Sequence, residues 1–149
     1  ALLNWGWTDA TLDDTGERIP YIPEFVGRAD VVAHGQLFDW TLGGRPVTGQ
    51  MGMGFTFVPG RPLPNRIQGD PFYLLDASAE VRLWNFAVGL LGRNLLDLQY
   101  RQTEFNYTSN FVGPNLPAPR TPQRHFAAGE PLFFGATLTV FVEDLFGAL

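Results

Sequence analysis

The feature of this sequence that most constrains its fold is a period-2 alternation of apolar and polar residues, repeated in one segment after another. Val47, Met51, Met53, Phe55 and Phe57 share one parity, and Thr48, Gln50, Gly52, Gly54 and Thr56 the other. Leu75, Ala77, Ala79, Val81 and Leu83 alternate with Asp76, Ser78, Glu80 and Arg82. Phe134, Ala136, Leu138, Val140 and Val142 alternate with Gly135, Thr137, Thr139 and Glu143, and Leu3, Trp5 and Trp7 with Asn4, Gly6 and Thr8. Successive side chains of a strand point to opposite faces, so this pattern builds sheets with one apolar and one polar side. No 3.6-residue stripe competes with it, and the segments are rich in Gly and β-branched residues.

Six strands follow, over 2–12, 25–38, 46–58, 72–84, 86–106 and 132–143. Soluble strands average about 5–6 residues, whereas a tilted strand that crosses a bilayer needs about 9–11. Most of these segments reach the longer figure. The connections add a second constraint, because long and short ones alternate. The first (13–24), third (59–71) and fifth (107–131) are long, while those at Thr41–Gly44 and at Trp84-Asn85-Phe86 are short. Outer-membrane barrels have this asymmetry, with short periplasmic turns and longer outer loops.

Composition agrees where it bears on the question. Charged residues make up 17% of the 149, below the ~25% of a typical globular domain. All ten basic residues are Arg and lie scattered in a chain of net charge −5, which gives no electrostatic footprint for nucleic acid. There is no Cys, hence no disulfide framework and no thiolate metal site. No apolar run of about 18 residues is present, so a transmembrane helix is excluded, but a transmembrane barrel is not. The chain starts at Ala1 without a basic–apolar–small leader, and a processed chain or a piece of a longer one is expected.

From Phe72 onward the residues carry a resemblance. Tyr73-Leu74-Leu75-Asp76-Ala77-Ser78-Ala79-Glu80-Val81-Arg82-Leu83 is similar to a strand of the TonB-dependent outer-membrane receptors, and the following segment matches that family's "N-L-x-D-x-x-Y" signature at Asn94, Leu95, Asp97 and Tyr100. Gly16-Glu17-Arg18-Ile19-Pro20-Tyr21-Ile22-Pro23 and Gly129-Glu130-Pro131 resemble the family's approaches to strands. Two departures stand out. Leu132 replaces the usual Arg, and the chain runs on through Glu143–Leu149, with Phe146, past the point where the family ends on an aromatic residue.

The resemblance implies an all-β fold, an antiparallel up-and-down transmembrane β-barrel segment. Residues 1–149 would be the C-terminal part of a barrel of about 22 strands, with the plug domain and N-terminal strands absent from this chain. It further implies residence in the outer membrane of a Gram-negative-type bacterium. The partners would be the remaining strands and plug of the same receptor, the TonB complex through the missing N-terminal part, and outer-membrane lipid. The function implied is TonB-energised uptake of a scarce ligand such as a siderophore, metal chelate, cofactor or saccharide. Neither a cofactor of its own nor catalysis is expected. Two other readings stay open: a non-transporting structural barrel subunit, and a soluble carbohydrate-binding β-sandwich.

Arg28, Asp30, His34, Glu80, Arg82 and Arg93 fall on the polar parity. In a barrel that parity is the lumen, where charge is tolerated. They read either as plug-docking or ligand-path residues or as a solvated wall. Asn94 and Asp97 are expected to support a bulge inside the fifth strand, and Tyr100 and Trp84 to sit at the bilayer interface. Asp9, Asp13, Asp14 and Glu17 lack the spacing of a calcium loop. His125, beside Arg120 and Arg124, has no carboxylate at useful spacing, and Ser78 has no elbow.

Overall fold

The structure, a computed structural model, describes residues 1–108 and 122–142, the side chain of Phe38 excepted. It is all-β and antiparallel. Strands β1 (Leu2–Trp7), β2 (Phe25–Leu42), β3 (Arg45–Val58), β6 (Phe72–Leu83), β7 (Phe86–Arg93) and β10 (Phe133–Val140) form one six-stranded sheet in that order. Two small ribbons stand apart from it: β4 (Pro62–Leu63) with β5 (Ile67–Gln68), and β8 (Arg101–Tyr107) with β9 (Gln123–Ala128). The sheet is an up-and-down meander, each strand pairing with its predecessor in the sheet.

Short turns all lie at one end. Gly43 and Gly44 join β2 to β3 with φ of 58° and 78°, the paired positive values that a two-residue hairpin requires and that Gly adopts without steric cost. Trp84-Asn85 joins β6 to β7, and Trp84 itself has a φ of 53°. Its indole Nε1–H donates to the Leu42 carbonyl at 2.6 Å, tying the two turns together. At the opposite end lie 8–24, 59–71 and, of the connection from β7 to β10, the described residues 94–108 and 122–132, so long and short connections alternate through the sheet.

The register sorts residues onto faces. Val31 pairs with Met53, which pairs with Ala77, then Gly92 and Phe134; Ala33, Met51, Ala79, Leu90 and Ala136 form the next row. From the Trp7–Phe25 pair to the row of Gly35, Gly49, Val81 and Val88 this face carries no charged side chain; beyond it come the register shift that holds Asp39 and, beside the Gly43-Gly44 turn, Arg45. No described element covers it: Met51 is 63% exposed and Leu138 68%. Among the described residues the buried apolar side chains are Val47, Val58, Leu63, Phe72 and Ala87.

Three boundaries differ from expectation. The first strand ends at Trp7, although Thr8 N–H still donates to Glu24 O and Thr11 bridges to Arg18. The second runs on to Leu42, with a register shift between Gln36 and Thr41. The largest correction concerns 86–106. It is two strands, not one, because Asn94 and Asp97 both take a left-handed φ of 48° and break the ladder after Arg93. The expected loop 107–131 likewise contains β9. Since β7 pairs with β10 and β8 with β9, the described residues 86–108 and 122–140 run as two arms of one long hairpin, bent at 94–100 and 129–132. Arg120 and Glu143–Leu149, Phe146 included, lie outside the described residues.

Candidate functional site

Arg28, Asp30, His34, Glu80, Arg82 and Arg93 all sit on the sheet face opposite Met51 and Met53. Pairing Arg28 with Thr56, Asp30 with Gly54 and Asp76, and His34 with Gln50 and Glu80 places them there. The upper part of this face is a hollow of about 490 Å³ floored by Gly52 and Gly54. Across it lies a connected polar network. Arg28 donates through Nη2 to Asp30 Oδ1 at 2.8 Å and through Nη1 to Thr56 Oγ1 at 3.0 Å, and its Nη1 lies 3.7 Å from Asp76 Oδ2. Asp76 Oδ1 accepts the backbone N–H of Asn94 at 3.1 Å. Arg93 pairs with Glu130 at 3.3 Å across the β7–β10 hairpin.

The lower part is a second hollow of about 360 Å³ lined by His34, Gln50, Glu80 and Arg82. Gln50 donates to Glu80 at 3.3 Å, and Arg82 lies 3.8 Å over the ring of Phe141. The charges of the upper part are therefore matched among themselves, Arg28 with Asp30 and Asp76 and Arg93 with Glu130.

Asn94, Leu95, Asp97 and Tyr100 are brought together at the bend, and their roles differ from those expected. Asn94 is 2% exposed. Its Nδ2 donates to the carbonyls of Leu98 and Glu130, both at 3.0 Å, and its Oδ1 accepts Leu98 N–H at 3.0 Å. Leu95 N–H donates to Leu75 O, and Asp97 N–H to Asn94 O. Asn94 thus supports a left-handed turn at a strand end rather than a bulge within a strand. A short amide suits this, because it tolerates a positive φ while satisfying the backbone groups the turn leaves unpaired. Tyr100 does not sit on the apolar face. Its ring packs on Phe72 with 4.7 Å between centroids, its hydroxyl accepts Glu130 N–H at 3.2 Å, and it lines the upper hollow.

Residues that the sequence reading passed over build a second constellation, among the long connections. Glu104 is 2% exposed, and its carboxylate accepts Asp70 N–H at 2.7 Å, Arg101 Nη1 at 3.1 Å and Arg124 Nη2 at 2.5 Å. Asp70 meets the same two guanidiniums at 2.9 and 3.2 Å. Desolvation works against the charge on Arg124, but its bonds to Asp70 and Glu104 outweigh that and hold its pKa above the ordinary value. The alternation Glu104-Phe105-Asn106-Tyr107, polar in and aromatic out, was the available signal. It was masked by the assignment of 86–106 to one strand.

His125 stacks on Tyr107 at 4.3 Å, and Glu17 pairs with Arg66 at 3.2 Å. Among the described residues no group of three or more His, Asp or Glu side chains has metal-binding geometry, and no helix is long and apolar enough to cross a membrane, which leaves strand crossings untouched. The described residues define an antiparallel all-β protein with one charged and one apolar sheet face. No family model, curated protein or solved structure matches the chain.

Proposed function

We propose that this chain is a wall segment of an outer-membrane β-barrel of the TonB-dependent receptor type, and that its parent takes up a scarce ligand. The observation that carries the reading is the uncovered, uncharged face of the sheet. Six strands about 4.8 Å apart and averaging roughly 36 Å long present about 1,000 Å² in projection, beyond the roughly 300–600 Å² of the largest apolar patch on an ordinary soluble monomer. The height of the band also fits. From Tyr73 to Leu83 the strand advances about 33 Å, which at a tilt near 40° is about 25 Å, the thickness of a barrel's apolar belt.

Aromatic residues support the same reading at the edges of the band. Phe25 and Phe57 lie 6.4 Å apart at the long-loop end, as do Phe55 and Tyr73, and Trp84 and Trp40 lie toward the other end, both exposed. Aromatic girdles at both interfaces mark transmembrane barrels. On this reading the charged face looks into the lumen and the short turns point to the periplasm. The two hollows then form part of the wall of a ligand path, and no covalent chemistry is assigned to them.

A β-sandwich would need a second layer over Met51 and Leu138, and no described element supplies one. The structural-subunit reading differs from transport only in what lies outside these residues. The deciding experiment is fractionation of the native envelope, followed by the denatured mass of the protein carrying this sequence. Recovery in the outer membrane at several times 16.6 kDa is expected. Recovery in the soluble fraction would overturn the membrane reading. Recovery in the membrane near 16.6 kDa would replace the transporter with a subunit that borrows strands.

A further inference from the structure

The three long connections are not independent loops. Between the 59–71 segment and the β8–β9 hairpin, Glu104 and Asp70 share Arg101 and Arg124 in a closed four-membered charge cluster. Arg61 Nη2 donates to Gln102 O at 2.8 Å, and Asn106 Nδ2 to Pro64 O at 2.9 Å. The 8–24 connection joins the same body. Tyr21 N–H donates to Pro62 O at 2.7 Å, the Tyr21 ring lies 5.5 Å from Phe105, and Glu17 pairs with Arg66. Each connection therefore touches both of the others.

What makes this more than a set of contacts is Glu104. Its carboxylate is out of water and is compensated only by donors that the hairpin and the 59–71 segment supply jointly. Arg101 and Arg124 stay with Glu104 on the hairpin, so separating the two takes the Asp70 N–H from a buried carboxylate and parts the Asp70 carboxylate from both guanidiniums at once, which costs more than losing one surface ion pair. Gly69 shows how closely the segments meet, since a Cβ there would fall 2.5 Å from Glu104 Oε2.

We infer that residues 8–24, 59–71 and the β8–β9 hairpin form one clamped body that opens and closes only as a whole, with Glu104 as its clasp. The clamp stands independently of the membrane reading. Its foot, Tyr100 and Glu130, lines the upper hollow of the charged face, so a molecule reaching that hollow from this end passes a rim that does not hinge between its own segments. An entrance that closes on a ligand would need its moving part elsewhere.

Hydrogen exchange on the intact, detergent-solubilised protein tests this directly. Reporters are the amides of Tyr21, Gly69, Asp70 and Gly129, each hydrogen-bonded within or at the foot of the body. Glu104→Gln keeps the shape and removes the charge. All four amides should then exchange at least about tenfold faster by a common factor, while Met53 and Ala79 in the sheet hold their rates. Gly69→Ala pushes on the same clasp from the opposite segment, should give the same set of accelerated amides, and serves if Glu104→Gln does not fold. Acceleration of Gly129 alone, with Tyr21 and Gly69 unchanged, would overturn the inference in either variant, as would independent rates for the four reporters in the unaltered protein.

Discussion

The six-stranded sheet and the clamped outer body hold together by different physics. The sheet is a ladder of local hairpins whose side chains sort by parity alone, and its apolar face has no protein partner among the described residues. The outer body has only two short ladders, β4–β5 and β8–β9, and none joins its segments to one another. It rests on a few polar side chains, Glu104, Asn106, Asp70 and Arg124, which link segments 34 to 54 residues apart in sequence. The contrast teaches where each region is vulnerable. The sheet tolerates polar exchange on one face and tests the surrounding phase on the other, whereas the body fails through single buried atoms.

Arginine substitution on the two faces gives the largest expected effect. In a bilayer Met51→Arg, mid-band on the apolar face, should destabilise the folded protein by about 2–4 kcal/mol, measured by urea unfolding in lipid vesicles. Gln50→Arg, one residue away on the charged face, should cost less than about 0.5 kcal/mol. For a soluble protein the order vanishes, because Met51 is 63% exposed and an exposed Met→Arg change is nearly neutral. Equal effects in the two variants would therefore break the proposed orientation of the sheet.

The junction between the two regions comes next. Asn94→Ala strands Leu98 N–H and Glu130 O and puts alanine at a φ of 48°. The expected loss is about 3 kcal/mol. Asn94→Gly keeps the left-handed φ at no steric cost and should lose about 1 kcal/mol less. If the two variants unfold alike, the side-chain bonds and not the backbone conformation govern the bend, and the comparison sharpens to a single cause.

Legibility in the sequence followed the same division. Parity placed Met51, Met53, Ala77 and Ala79 on one face and Arg28, Asp30, Glu80 and Arg82 on the other, because a ladder makes side-chain direction a local property. The short turns at Gly43-Gly44 and Trp84-Asn85 were equally local. The bend was not. Asn94 and Asp97 mark an irregularity in 86–106, but only the bonds of Asn94 to Leu98 and Glu130 and of Leu95 to Leu75 show that the ladder stops there. Tyr100 was misplaced for the same reason, since its partner Phe72 comes from a strand 28 residues earlier. Glu104 left only the alternation of 104–107 as a local mark and Asp70 none, because what makes them a pair is burial that the fold alone creates.

The smallest effect tests whether the short-turn end is as locally determined as it looks. Gly43 has a φ of 58°, and a Cβ there would lie 2.6 Å from Trp84 Cζ2. If the turn were purely local, Gly43→Ala would cost only the left-handed penalty of about 1 kcal/mol, whether or not Trp84 is present. The indole, however, reaches over from the neighbouring hairpin to donate to Leu42 O. Trp84→Phe should lose about 1 kcal/mol through that bond and give the new methyl group room. The two substitutions combined should then cost less than the sum of their separate effects, by about 0.5 kcal/mol or more, as expected for residues in contact. Strict additivity in the unfolding midpoints would mean that the two turns act independently. The short-turn end would then belong wholly to the local regime of the sheet, with no counterpart to the cross-linking that holds the other end.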